Sequence, residues 1–146
     1  VEYLSWPHPY RVAFAILAHE SAGAVQRLVG RLDGPGAVFV VHVDVVNPGM
    51  VRELQEWVRE AGLENVRILS SFRIVRGGRA MLDTELACLD VLTAEFEWDS
   101  VLIISEKDYP LRSNAVLRDY LFMHRGYSFV SVDLTGECDR DVTFEC

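Results

Sequence analysis

The residues able to do chemistry in this chain gather where its apolar runs end. The most loaded segment is Ser105-Glu106-Lys107-Asp108-Tyr109-Pro110, which follows the apolar residues 100–104. Two carboxylates flanking a lysine could hold a divalent cation against a diphosphate. They could equally act as a base with a salt-bridged partner, or form a polar loop in which Asp108 tethers backbone amides. Asp44 closes a second apolar run, residues 37–43. A carboxylate there can accept hydrogen bonds from a ribose or a base, or cap the turn at Asn47-Pro48. His19 stands just past a third run, residues 11–18. It reads either as a polar ligand contact or as a surface histidine at a helix entrance. Arg76-Gly77-Gly78-Arg79 pairs cations with glycines, which let backbone approach a ligand closely, and a helix start favours anions. A pyrophosphate fits that segment, and so does an ordinary turn. His42, inside its run, reads as a core histidine with its hydrogen bonds satisfied.

Two common nucleotide signatures are missing. The first loop, Ala18-His19-Glu20-Ser21-Ala22-Gly23, lacks GxGxxG, and no GxxxxGK[ST] occurs anywhere in the chain. A dinucleotide-dependent dehydrogenase and a P-loop NTPase are thereby disfavoured. A net charge of −8, from 22 acidic and 14 basic residues with no basic patch, argues against nucleic acid as a partner. Cys88, Cys138 and Cys146 show no CxxC or CxxH spacing, so a structural zinc site is not expected. Cys88 falls in a helical pattern and reads as a small buried apolar residue. Cys138 and Cys146 could pair with each other or with partners outside this chain.

The elements that must carry these residues alternate in type. Residues 11–18 (RVAFAILA), 37–43 (AVFVVHV), 65–69 (NVRIL), 100–104 (SVLII) and 127–132 (YSFVSV) read as strands. The short, two-faced apolar runs among them suit a buried parallel sheet. Between them lie helical patterns. Val25, Leu28, Val29 and Leu32 form one stripe behind a Ser21 cap and before the stop Gly34-Pro35-Gly36. Val51, Leu54, Val58 and Ala61 form another, opened by Pro48 and closed by Gly62. Leu82, Leu86, Leu89, Leu92 and Phe96 line the longest. Val116, Leu117, Tyr120 and Leu121 follow a cap at Ser113 or Asn114. Residues 72–75 read as an extended segment. Alternating strands and helices predict an α/β fold with a largely parallel sheet, whose ligands bind outside the carboxyl ends of the strands.

From residue 10 to residue 146 the ordered segments are RVAFAILAHE, VVHVD, NVRIL followed by Gly77-Gly78, EWDSVLIISEKDYPLRSN and SFVSVD. This set resembles the glycosyltransferases that include protein xylosyltransferases, core-2 and I-branching N-acetylglucosaminyltransferases and related plant glucuronosyltransferases. DYPLRSN after a WD-plus-apolar strand is its most specific piece, and VTFEC at residues 142–146 looks more like the xylosyltransferases. The resemblance implies a GT-A type fold of which residues 1–146 are the nucleotide-sugar-binding half. The acceptor-binding half, the general base and the residues neutralising the leaving diphosphate would then follow Cys146. It implies inverting transfer from a UDP-sugar to a protein or glycan hydroxyl, foremost xylose from UDP-xylose to a core-protein serine in proteoglycan-type glycan initiation. A branching N-acetylglucosaminyltransferase and a non-catalytic nucleotide-sugar-binding fragment are the alternatives. No metal or other cofactor is implied. By resemblance Leu17, Ala18 and His19 line the uridine pocket, and Asp44 binds the nucleoside. Ile74, Val75 and Arg76 approach the UDP-sugar, and Asp108 orders the loop under the sugar. The resemblance further implies a lumenal domain in the Golgi or ER, held by a membrane anchor outside these residues. Three positions depart from the family pattern. Arg76 stands where an aromatic is common, Glu106 and Lys107 where small residues are frequent, and Val46 where xylosyltransferases often carry a basic residue.

Overall fold

The computed structural model describes residues 9–75 and 78–129. Its elements run β1 (Val12–Ala18), α1 (Ala22–Leu32), β2 (Ala37–Val43), α2 (Pro48–Glu60), β3 (Val66–Leu69), α3 (Arg79–Glu95), β4 (Ser100–Ser105) and α4 (Asn114–Met123). The strands form one parallel sheet in the order β3-β2-β1-β4. β1 therefore sits between β2 and β4, with Leu17 facing His42 on one side and Ser105 on the other. This is the α/β architecture expected from the alternation of patterns.

The helix starts follow local chemistry. Side chains of Ser21, Asn47 and Ser113 accept the amides of Ala24, Met50 and Val116, satisfying donors that a first helical turn leaves open. Pro48 lacks an amide hydrogen and opens α2 without loss. Gly62, at φ +62°, reverses the chain after α2 in a conformation that a side chain would strain.

The sheet is covered on both faces. On one, Phe14, Ile16, Phe39, Val41 and Val43 pack with Val25, Leu28 and Leu32 of α1, Leu54 of α2 and Phe122 of α4. Phe14 and Phe39 stack at its centre, 5.1 Å between ring centroids. On the other face, Ala13, Ala15 and Val40 meet Cys88 and Leu92 of α3. No helix among the described residues is long and apolar enough to cross a membrane.

Several expectations need correction. The buried line of α3 is Thr84, Cys88 and Leu92. Leu82 and Leu86 are instead 55% and 49% exposed, while Leu89 and Phe96 are partly buried. The sheet presents alanines here, so a helix approaches through its own small residues. The Thr84 hydroxyl is satisfied by the Ala80 carbonyl at 2.7 Å. In α2 the fully buried pair is Met50 and Leu54, with Val51 and Val58 partly buried and Ala61 an exposed C-cap. In α4 it is Leu121 and Phe122, whereas Val116 and Tyr120 are exposed. β4, expected as a buried strand, contains no fully buried residue. Of the expected fifth strand, residues 127–129 are not in a strand, and its remainder lies outside the described residues, as do Cys138 and Cys146.

Candidate functional site

The carboxyl edge of the sheet is where the candidate residues meet. β1 ends at Leu17 and Ala18, and the two strands beside it reach across to its last carbonyls. The Glu106 amide donates to the Leu17 oxygen at 3.1 Å, and the Asp44 amide to the Ala18 oxygen at 3.1 Å. Continuation of the parallel ladders thus brings the residues that follow β1, β2 and β4 side by side.

On the β2 side, Asp44 and His42 hold the chain that leaves β3. Asp44 is buried. Its Oδ1 accepts the Val46 amide at 3.1 Å and its Oδ2 accepts the Ile74 amide at 3.0 Å. His42 is fully buried, and its Nε2 accepts the amides of Ser71 at 3.1 Å and Phe72 at 3.3 Å. Its ring therefore presents a lone pair at Nε2 and carries its hydrogen on Nδ1. Burial, opposed by the nearby Asp44 charge, pushes the His42 imidazole below its ordinary value. Among the described residues Nδ1 finds no hydrogen-bond partner, so the expected satisfied core histidine is satisfied at one nitrogen. Asp44 keeps unused lone pairs on both oxygens, the capacity a ribose hydroxyl would need. Val45 and Val46, which follow Asp44 in the chain, and Val75, which follows Ile74, are exposed apolar residues.

On the β4 side, the Glu106 side chain is only 1% exposed. Both its oxygens share the His19 amide, at 3.2 and 3.1 Å, and Oε1 also accepts the Glu20 amide at 3.0 Å. An internal carboxylate thus occupies the small anion nest formed by the first loop. The His19 ring lies between two carboxylates, with Nδ1 3.3 Å from Glu106 Oε1 and Nε2 3.3 Å from Glu20 Oε1. Lys107 Nζ reaches Glu20 Oε1 at 2.7 Å. Mainly through that hydrogen bond, it holds the Glu20 carboxyl below the ordinary carboxylate range. Asp108 ties its own loop, Oδ2 accepting the Ser105 amide at 2.7 Å.

Between the start of α1 and this loop lies a hollow of roughly 310 Å³ lined by Glu20, Ser21, Ala24, Arg27, Glu106, Lys107, Asp108 and Tyr109. His19, Glu20 and Glu106 are the described residues whose ligand atoms converge enough to hold a cation, all within 4.8 Å of one another. The Lys107 ammonium and two backbone amides already engage those carboxylates.

Of the residues expected to bind donor, Leu17, Ala18, His19, Asp44 and Ile74 lie in one connected set of backbone and carboxylate contacts, with Val75 next in the chain. Asp108 stands across β1 from Asp44, and it alone of the expected residues lines the hollow. Arg76 lies outside the described residues. Sequence reasoning did not foresee the Glu106–His19–Glu20–Lys107 network. Its only signal was two loops of mixed charge, 87 positions apart for Glu20 and Lys107. Nothing short of the β1–β4 pairing joins them.

The family model described as Core-2/I-Branching enzyme matches residues 12–138. Xylosyltransferase oxt of Drosophila pseudoobscura pseudoobscura is 33% identical over 123 residues, which is 82% of this chain and 14% of that protein. Xylosyltransferase 1 of Rattus norvegicus is 30% identical over 134 residues, 89% of this chain and 16% of its own length. A beta-1,3-galactosyl-O-glycosyl-glycoprotein beta-1,6-N-acetylglucosaminyltransferase of Bovine herpesvirus 4 is 23% identical over 134 residues, 90% of this chain and 30% of the viral protein. The chain thus spans a minor part of each of these three relatives.

Proposed function

The chain belongs to the Core-2/I-Branching enzyme family, and from that premise we propose that it forms the donor-binding half of an inverting glycosyltransferase. The donor is a UDP-sugar and the acceptor a protein or glycan hydroxyl. The observation that carries this reading is the convergence, at one sheet edge, of Leu17–His19 with Asp44 and the segment Asp44 tethers at Ile74. In parallel α/β sheets that edge is where ligands sit. In this reading the Asp44 carboxylate takes the nucleoside hydroxyls and the apolar rim lies against the base. Residues 74–76 approach the sugar, while Asp108 shapes the loop below it.

Inversion needs a base for the acceptor hydroxyl and cationic support for the departing diphosphate. Glu106 is poorly suited to be that base, since backbone amides hold both its oxygens. We place base and diphosphate-binding cations in sequence beyond Cys146. The reaction is proposed to use no metal. The carboxylates that could ligate one are engaged by Lys107 and by amides, and metal-free chemistry leaves the diphosphate charge to basic side chains. Xylose transfer to a core-protein serine is the favoured reaction, supported by the two xylosyltransferase relatives at 33% and 30% identity. The viral relative supports a branching N-acetylglucosaminyl transfer as second reading. Work in the lumen of the Golgi or ER, behind a membrane anchor outside these residues, belongs to the same proposal.

Calorimetric titration of UDP into the protein, extended downstream to the length of its relatives, tests the donor reading. Saturable binding that Asp44→Ala weakens is expected. A folded protein with no detectable UDP binding refutes it. Competition between UDP-xylose and UDP-N-acetylglucosamine then chooses the sugar.

A further inference from the structure

After β3 the chain runs through residues 70–75 with no strand pairing of its own, yet it is not loose. Its amides are claimed by two side chains from the end of β2. Ser71 and Phe72 donate to His42 Nε2, and Ile74 donates to Asp44 Oδ2. Two backbone bonds complete the strap, the Val45 amide to the Phe72 carbonyl at 3.3 Å and the Gly78 amide to the Val75 carbonyl at 2.9 Å. The Phe72 ring lies over the imidazole, 6.2 Å between centroids and 23° from parallel. An arginine or lysine side chain at position 42 would bring only donors to this spot, where two donors already point. Only an acceptor of imidazole reach serves.

We propose that His42 is a positioning residue, a proton-sensitive latch that fixes the 71–75 strap only while its Nε2 lone pair is free. The consequence for function rests on the reading above that residues 74–76 approach the donor. A latched strap then presents the donor site, and a protonated latch withdraws it.

The chemistry is one of acceptor against donor. Protonation at Nε2 would set an N–H against the N–H groups of Ser71 and Phe72, so both bonds fail together. The ring's surroundings favour the neutral form. Leu17 and Leu69 flank it in register, Phe72 stacks on it, and α3 on that face buries Thr84, Cys88 and Leu92. The Cys88 thiol, pushed up to about 12 by burial, is neutral there. Asp44 is the charge that acts on the ring, and it opposes the burial effect without overcoming it. The sign follows. With the native value below the ordinary imidazole value, the latch is intact above the ordinary value and is lost as pH falls below it towards the native one.

Amide hydrogen exchange on the full-length protein tests the latch directly, read as protection factors so that intrinsic pH effects cancel. In the wild type, protection at residues 71–74 should decline on acidification from pH 7.5 to pH 5 while β1 amides stay protected. His42→Phe keeps the ring and removes the acceptor. It should lower protection of 71 and 72 by roughly tenfold or more and abolish the pH dependence. His42→Gln, which offers a carbonyl acceptor that does not titrate, should restore part of the protection without the pH response. Protection of 71–74 that is pH-independent in the wild type overturns the latch, and that measurement requires no variant to fold. UDP affinity measured alongside separates the two claims. A strap that loosens while UDP affinity holds leaves the latch standing and removes the donor role of residues 74–76. A strap that never responds removes the latch and leaves the donor reading to its own test.

Discussion

Strands β2 and β4 flank β1 in parallel, and both are written in nearly the same apolar alphabet, AVFVVHV and SVLIIS. Their fates differ. All of β2 but Val38 is fully buried, whereas no residue of β4 is, and Ile103 is 44% exposed. β2 has a strand on each edge and helices over both faces. β4 has β1 on one edge and, among the described residues, no strand on the other. An apolar run records that a segment can be buried; cover on every side decides whether it is. The strand tips differ in kind too. At the end of β2, an imidazole lone pair and a carboxylate grip backbone amides. Beyond β4, a carboxylate grips amides as well, but an exposed ion pair hangs on the outside.

The largest effect expected from this contrast is in the core. Phe14→Ala removes one member of the stacked, fully buried ring pair and should cost about 3–5 kcal/mol in urea unfolding. Ile103→Ala on β4 should cost less than about 1 kcal/mol. Equal losses would show that β4 is covered in the intact protein and would erase the difference. An intermediate effect belongs to the two tips. Asp44→Ala and Glu106→Ala each strip a buried acceptor from two backbone amides and should each destabilise by about 1–3 kcal/mol. If Glu106→Ala is neutral, water replaces its grip, and the β4 tip is soft where the β2 tip is firm. The smallest effect is expected at Lys107→Ala. The Glu20–Lys107 pair is exposed and screened, so the unfolding midpoint should not move measurably. The Glu20 carboxyl, followed by NMR, should rise towards its ordinary value once the ammonium is gone. Its small contribution is present above the ordinary carboxylate value and is lost as pH falls through the lowered one.

Much of the fold was legible because local chemistry and periodicity carried it. Ser21 and Pro48 announced two helix starts, and residues 37–43 were a strand in full. Cys88 was rightly read as core, being fully buried in α3. The misreadings share one cause. In α3 the leucines at 82 and 86 outrank Thr84 and Cys88 in hydrophobicity, yet the sheet offers Ala13 and Ala15, and small faces small. In α4 the expected stripe was rotated for the same reason, since the partner surface selects the phase and is not encoded within the helix. At the site, Asp44 stood out because it closes an apolar run and Asp108 because it belongs to the charged segment that follows one. Glu106 stood out as well, but its task of filling the nest beside His19 and Glu20 could not be seen.

What the sequence determined by itself was the alternation of elements, the identity of the residues at the strand ends, and the edge at which the polar candidates gather. Those follow from interactions within a few residues of one another. Tertiary structure alone decided that β1 lies between β2 and β4, and with it which loops touch. Side chains 87 positions apart become partners through that pairing, and a histidine in one strand becomes the clasp for a segment beyond another. Such contacts depend on strand order, which non-local backbone hydrogen bonds set and no short window of residues contains.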